Sequence, residues 1–291
     1  MATNATTLKN SYSEGTANLF IWLKIAVVFG LVVALYFQVF PDLASDWWND
    51  SAFSYGMLIP PIAGYVAYLR REHTLALPAI PDWRGLGLTV AACLMFLVGK
   101  LAAEFYLQRI SFVFLLAGLI WTFWGRRRVG TLSFPLVLLA TMVPLPALVY
   151  NAAAAPLQLL SSTVATRLAQ ALGVTVYQDG NIIHLANASL GVAEACSGLH
   201  SLSALVVGSL LLGFLEGASV WRWALLSVIS VPLAIVVNVV RVTGTALLAD
   251  YRMELAMGFY HALSGWLVFL MGFGMLWLIG KLLFRENYSH K

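Results

Sequence analysis

The stretch that decides the fold class is Trp221–Val240, which reads WRWALLSVISVPLAIVVNVV and carries a single charge. A helix needs about 20 apolar residues to cross the hydrocarbon core of a membrane, and this stretch supplies them. The whole chain of 291 residues is 60% hydrophobic and only 10% charged, with a mean hydropathy of +0.84. Because soluble domains carry roughly a quarter charged residues, these values exclude a soluble or disordered protein and predict a polytopic membrane protein.

Eight apolar runs predict an all-α membrane fold with about eight transmembrane helices. The first run follows a polar tail and has no small-x-small cleavage pattern, so we do not expect a cleavable signal peptide. The chain then divides into an N-terminal tail (1–18), one integral-membrane domain (19–284) and a C-terminal tail (285–291). The predicted spans are Leu19–Phe40, Ala52–Leu69, Gly85–Ala103, Ile110–Trp124, Leu132–Tyr150, Leu199–Leu215, Trp221–Val240 and Ala262–Phe284.

The basic residues predict the orientation of these spans. Eight spans place both termini on one side, and the positive-inside rule assigns that side to the cytoplasm. The strongest anchors are Arg70–Arg71 and Arg126–Arg128. Since the basic residues lie at the ends of apolar runs and form no patch with interleaved aromatics, membrane lipid is an expected partner and nucleic acid is not. Of the 17 basic residues, this orientation leaves outside only Lys100, Arg109, Arg167, Arg241 and Arg252.

One long external segment, residues 151–196, precedes the sixth span. Its first part, Pro156–Leu172, is amphipathic at helical spacing and predicts a small helix in the membrane interface. Its second part, VTVYQDGNIIHL (174–185), alternates around an Asp-Gly pair and predicts a β-hairpin.

Three reactive side chains lie at the external boundary of predicted spans. Cys196 comes just before span six, Arg241 just after span seven, and His261 just before span eight. A thiol, a guanidinium and an imidazole at one depth could perform nucleophilic acyl transfer, and a helix N-terminus favours the thiolate. Each residue also has a structural interpretation, because a cysteine can pack, an arginine can snorkel and a histidine can be merely interfacial.

The motifs around these residues resemble the exosortase/archaeosortase family. The match comprises EACSGLHSL around Cys196, NVVRVTG around Arg241 and HALSGW around His261. The segments FSYGMLIPPIAGY, FPLVLLATMVPLP and DGNIIHL are also similar, so the resemblance covers about Asp50–Trp266. It implies a membrane cysteine protease or transpeptidase of the bacterial inner membrane, with its active site at the periplasmic face.

The resemblance also implies a substrate and a role for each residue. The substrate would be an exported protein with a C-terminal sorting signal of the PEP-CTERM type, made of a Pro-containing motif, a transmembrane helix and a basic cluster. Cys196 would form a thioester, Arg241 would stabilise the oxyanion or orient the substrate, and His261 would shuttle protons. An amine or water would release the acyl group. The usual setting of the family is protein sorting alongside exopolysaccharide.

The chain departs from the family pattern at two positions. The second span has Tyr55 where the family commonly has the His of Ser-His-Gly. His200 follows Cys-Ser-Gly-Leu at the position where the family often has Arg. His200 is four residues after Cys196 and therefore shares its helical face, so it competes with His261 as the base. The intact motif favours His261.

Asn238 and Glu194 are supporting candidates for the site, and the two cysteines are not expected to form a disulfide. Asn238 lies three residues before Arg241 and serves either as a helix-to-helix hydrogen-bonding group or in catalysis. Glu194 either pairs with Arg241 or is a solvated carboxylate. Cys93 lies within an apolar run and is expected to pack as a small hydrophobic residue, which makes a disulfide with Cys196 improbable. The sequence predicts no metal site and no cofactor, because no metal-ligand spacing is present.

A transporter or flippase for a lipid-linked glycan is the alternative function. Transporters are often built from repeats and carry polar groups at the middle of the membrane. This sequence shows no similarity between its halves, and its polar groups gather at one face, so the pattern favours the enzyme. The oligomeric state stays open.

Overall fold

The computed structural model describes residues 23–24, 26–50, 53–186, 189–191, 199–215, 220–256 and 258–283. It is mostly helical, with one small antiparallel sheet of three strands, which agrees with the predicted helical class. The chain divides into two compact units, Met1–Ser45 and Asp46–Lys291.

The described chain is a succession of helices, and the three strands of the sheet lie between helices α9 (Ala147–Ala171) and α10 (Leu199–Leu215) in the sequence. In the N-terminal part, α1 (Ala26–Tyr36) and α2 (Val39–Asn49) form a pair bent by 56°. A 3-10 turn at Ser54–Leu58 leads into the later helices. These are α3 (Ile59–Leu69), α4 (Arg71–Ala76), α5 (Arg84–Leu101), α6 (Phe105–Trp124), α7 (Arg126–Thr131), α8 (Ser133–Ala140), α9 (Ala147–Ala171), α10 (Leu199–Leu215), α11 (Val220–Tyr251), α12 (Met253–Ala256) and α13 (Gly258–Leu283).

Within the described residues, four helices are long and apolar enough to cross a membrane, namely α5, α6, α11 and α13. The bent pair α1 and α2 makes a fifth if it counts as one span. Many large apolar side chains are exposed on the helices, as expected of a surface that faces lipid. The chain is therefore a membrane protein, but the predicted number of eight spans is not confirmed.

Prolines explain why two predicted spans are interrupted. In span two, Pro60 and Pro61 are the first residues of α3 after its start at Ile59, and their missing N–H groups separate α3 from the 3-10 turn before it. In span five, α8 ends at Ala140 and the chain turns through Pro144 and Pro146 before α9 begins. These two segments are short helices, which apolar content alone did not reveal.

Helices α5 and α6 form a close antiparallel hairpin. A Cβ on Gly99 would lie 2.8 Å from the backbone nitrogen of Gln108, and one on Gly118 would lie 2.6 Å from Thr89 Oγ1. Such small residues let membrane helices approach each other. The carboxylate of Glu104 accepts a hydrogen bond from the backbone N–H of Leu107 at 2.6 Å, so α6 begins earlier than predicted. Cys93 is exposed on α5, so the prediction that it packs inside is wrong.

The segment after Pro146 folds into a unit that we call the cap, made of α9, β1 (Val176–Asp179), β2 (Ile182–Leu185) and β3 (Ser189–Gly191). The predicted hairpin is confirmed: Asp179 pairs with Ile182, and Gly180 has a φ of 59° in the turn. Strand β3 was not predicted. The interfacial helix expected over Pro156–Leu172 is instead the C-terminal part of α9.

The cap packs against the C-terminal half of α11. Ile183 and Val176 of the sheet share one apolar cluster with Val242 and Ala249 of α11. The prediction that span seven ends at Val240 is therefore wrong, because α11 continues to Tyr251. The physical reason is that the cap packs on the part of α11 that follows Val240.

Candidate functional site

Arg241 lies against α13, the helix that carries His261. A Cβ built on Gly265 would lie 3.2 Å from Arg241 Nη2 and 3.3 Å from Arg241 Cζ, so the guanidinium occupies the space that a side chain at position 265 would need. His261 precedes Gly265 by four residues in α13, and residues at that spacing share one helical face. The geometry therefore brings the arginine within about one helical turn of the histidine's backbone position.

Helices α10 and α11 are antiparallel, and two contacts fix their register. A Cβ on Gly213 would overlap Trp223, and Ser209 Oγ donates a hydrogen bond to Ser227 Oγ at 2.9 Å. Between these contacts each helix advances by four residues, so the pairing is regular. Continued to the start of α10, it puts Leu199 level with Val237, about 6 Å along the axis from Arg241 at 1.5 Å per residue.

Helix α13 adds a third register at the same end. A Cβ on Gly272 would lie 3.4 Å from Leu205 Cδ1 of α10 and 3.2 Å from Val237 Cγ2 of α11. Because α10 and α13 run in the same direction, Leu199 lies level with Trp266, next to Gly265. The start of α10, the part of α11 around Arg241 and the first turns of α13 therefore lie within about 6 Å of one another in depth.

Two of the predicted site residues fall outside the described part of the chain. Cys196 and Glu194 belong to this group; the described chain stops at Gly191 in β3 and resumes at Leu199 in α10. His200 lies in α10 and His261 lies in the first turn of α13, which begins at Gly258. For these two histidines the helix position is described and the side chain is not.

Asn238 connects the cap to α11. Its Nδ2 donates a hydrogen bond to Ser161 Oγ of α9 at 2.9 Å, and both residues are buried. Amide-to-hydroxyl bonds of this kind join helices in membranes, so the structural interpretation of Asn238 has an observed partner. Since Asn238 lies one turn from Arg241, the same bond fixes the position of α11 beside the arginine.

Tyr55 contacts the helix that follows the cysteine motif. It lies in the 3-10 turn, and its hydroxyl forms a hydrogen bond with the side chain of Ser203 in α10. The sequence marked Tyr55 only as a departure from the family pattern, because no local signal indicates a partner so distant along the chain. The bond couples the segment around Tyr55 to the first turns of α10.

The two upstream motif segments also lie together. Trp47 packs against Gly56, where a Cβ would overlap the indole, and Trp47 Nε1 donates a hydrogen bond to the carbonyl oxygen of Met142 at 3.0 Å. The rings of Phe53 and Tyr150 pack edge to face with centroids 5.6 Å apart. The segments around Gly56 and Met142 thus form one supporting layer under the start of α10.

The described residues include no group of three or more His, Cys, Asp or Glu side chains that could hold a metal ion. His184, the one histidine of the sheet, is engaged: its Nδ1 lies 2.8 Å from Ser189 Oγ, and its ring stacks on Tyr177 with centroids 4.6 Å apart. These contacts join the three strands of the cap.

Comparison with known proteins gives one match. The family model described as transmembrane exosortase matches residues 47–278, which is most of the chain and includes all three motifs. No curated protein matches, and no solved structure matches.

Proposed function

Since this chain belongs to the transmembrane exosortase family, we propose that it is a membrane cysteine peptidase or transpeptidase that cleaves the C-terminal sorting signals of exported proteins. The observation that carries the proposal is the position of Arg241, which lies against Gly265 one turn from His261 and about 6 Å along the helix axis from the level of the start of α10. Cys196 is three residues before that start in the sequence, which supports its assignment as the nucleophile in this proposal.

The reaction needs a thiolate, a cation and a proton carrier. The Cys196 thiolate attacks the carbonyl carbon of the scissile peptide bond, and the negative charge that develops on oxygen is stabilised by Arg241. The C–N bond then breaks, the leaving amine takes a proton from His261, and a thioester remains on Cys196. Water or an acceptor amine attacks the thioester, gives its proton to the imidazole and releases the acyl product.

The direction of α10 supports an external active site. At the C-terminal end of α10, the ring of Phe214 lies under the guanidinium of Arg70, with Cζ 4.6 Å from the ring centroid. The start of α10 is therefore about 22 Å along the helix axis from Arg70. If Arg70–Arg71 and Arg126–Arg128 are cytoplasmic, as the positive-inside rule predicts, the site faces the periplasm of the bacterial inner membrane. With the eight spans predicted from the sequence, both termini are cytoplasmic.

The chain's second cysteine provides a matched control for a test of the nucleophile. We expect Cys196→Ala to abolish processing of a co-expressed exported protein that bears the sorting tail, and Cys93→Ala, on the exposed face of α5, to leave processing unchanged. In the Cys93→Ala background, mass spectrometry should find the acyl group of the substrate on Cys196. Normal removal of the tail by Cys196→Ala would refute the proposal. Lipid flipping that is retained in Cys196→Ala would instead favour the transporter.

A further inference from the structure

An open cavity of about 690 Å³ lies at the opposite end of the helices from the candidate site. It is lined by the end of α3, by α4 and by α7, and its cationic or titratable side chains are Arg70, His73 and Arg127. No carboxylate lines it among the described residues; Glu72, beside it in sequence, pairs with Arg71 at 3.6 Å and points outward with its side chain 88% exposed. The cavity therefore has a net positive wall.

Two arginines build the cavity. Arg70 Nη1 donates a hydrogen bond to the carbonyl oxygen of Thr131 at 2.8 Å, which joins α3 to α7. Arg128 Nη2 donates to the carbonyl oxygen of Leu77 at 2.7 Å, which joins α7 to the segment after α4. These bonds connect the segments that line the cavity.

Arg127 differs from these two arginines. Its side chain is exposed. Among the described residues, none forms a hydrogen bond, ion pair or ring contact with the Arg127 side chain. Leu69 and Leu77 line the same cavity, so an apolar wall adjoins the cations. A basic wall beside an apolar wall matches a molecule with an anionic head and a hydrocarbon chain.

The cavity also lies at the depth of a membrane interface. Trp83, before α5, is 81% exposed, and Trp124, at the end of α6, is 37% exposed. Exposed tryptophans at helix ends mark the level of lipid head groups. Basic pockets between membrane helices at this level are suited to anionic head groups.

We propose that this cavity is a binding site for the phosphate group of an anionic phospholipid. Arg127 binds the phosphate oxygens, since a guanidinium matches phosphate geometry with two parallel N–H donors, and Arg70, whose Nη1 already bonds to Thr131, adds positive charge to the site. The acyl chain leaves along Leu69 toward the lipid. The site is independent of the proposed peptidase reaction, because none of its residues lies near the start of α10.

Arg126 provides a matched control for the test. It is adjacent to Arg127 on α7, equally charged and exposed, and does not line the cavity. Native mass spectrometry of the purified full chain in neutral detergent would measure binding of phosphatidylglycerol, with phosphatidylcholine as the neutral lipid. We expect tighter binding of phosphatidylglycerol, a loss of about fivefold in Arg127→Gln, and less than a twofold change in Arg126→Gln.

Three outcomes would overturn the proposal. Equal losses in Arg127→Gln and Arg126→Gln would mean a diffuse surface charge and no site. Equal binding of both lipids would exclude recognition of the anionic head group. Displacement of phosphatidylglycerol by an equal concentration of inorganic phosphate would identify a site for the free anion and not for a lipid. Thermal unfolding of both variants, which should match that of the unaltered chain, excludes misfolding as the cause of weaker binding.

Discussion

Adding one methyl group at Gly265 should displace the guanidinium of Arg241. The new Cβ would lie 3.2 Å from Nη2, 3.3 Å from Cζ and 3.6 Å from Nε, whereas comfortable contacts between heavy atoms are about 3.5–4.0 Å. The arginine must therefore move by a few tenths of an ångström. Since a misplacement of about 1 Å can lower a catalytic rate about a hundredfold, we expect Gly265→Ala to lower processing of the sorting tail several-fold.

Gly274 supplies the control for this experiment. It lies on the same helix, and no atom lies within 4 Å of the position of its Cβ. Alanine is a better helix former than glycine by up to about 1 kcal/mol, so both variants should be at least as abundant as the unaltered chain. The assay is a pulse-chase of the tailed substrate, with thermal unfolding of each purified variant. If Gly265→Ala processes at the normal rate, or if Gly274→Ala slows equally, the reasoning about Arg241 is refuted.

Two further changes test the supports of the site. Tyr55→Phe removes the hydroxyl that bonds to Ser203 and should lower the unfolding free energy by about 1 kcal/mol, measured as a lower Tm. Tyr65→Phe, at an exposed position, should leave the Tm unchanged. Equal losses in the two variants would contradict the role of the bond. Asn238→Ala leaves the hydroxyl of Ser161 without its buried donor and should lower the unfolding free energy by about 1–3 kcal/mol. In a double-mutant cycle with Ser161→Ala, additive losses would show that the two side chains are not coupled.

The local sequence predicts helices well where apolar runs end in polar sequence, and poorly where protein covers the ends. Helix α10 has the bounds Leu199–Leu215 that its apolar run predicts. Helix α11 was expected to end at Val240, because a charge is costly in lipid. The apolar residues of the cap, such as Ile183, cover the helix beyond Arg241, and this packing depends on a segment more than fifty residues earlier. Contacts at that sequence separation leave no periodic signal.

The same limit applies to the candidate site, where the motifs indicate which residues matter but not how they meet. The four-residue spacing of His261 and Gly265 predicts only that both lie on one face of a helix. The structure adds that the guanidinium of Arg241 packs against Gly265 so closely that a Cβ there would lie 3.2 Å from Nη2. The glycine of HALSGW and the arginine of NVVRVTG are thus two halves of one contact. A larger residue at 265 should then be tolerated only together with a shorter cation at 241, so Arg241→Lys should recover part of the processing that Gly265→Ala loses.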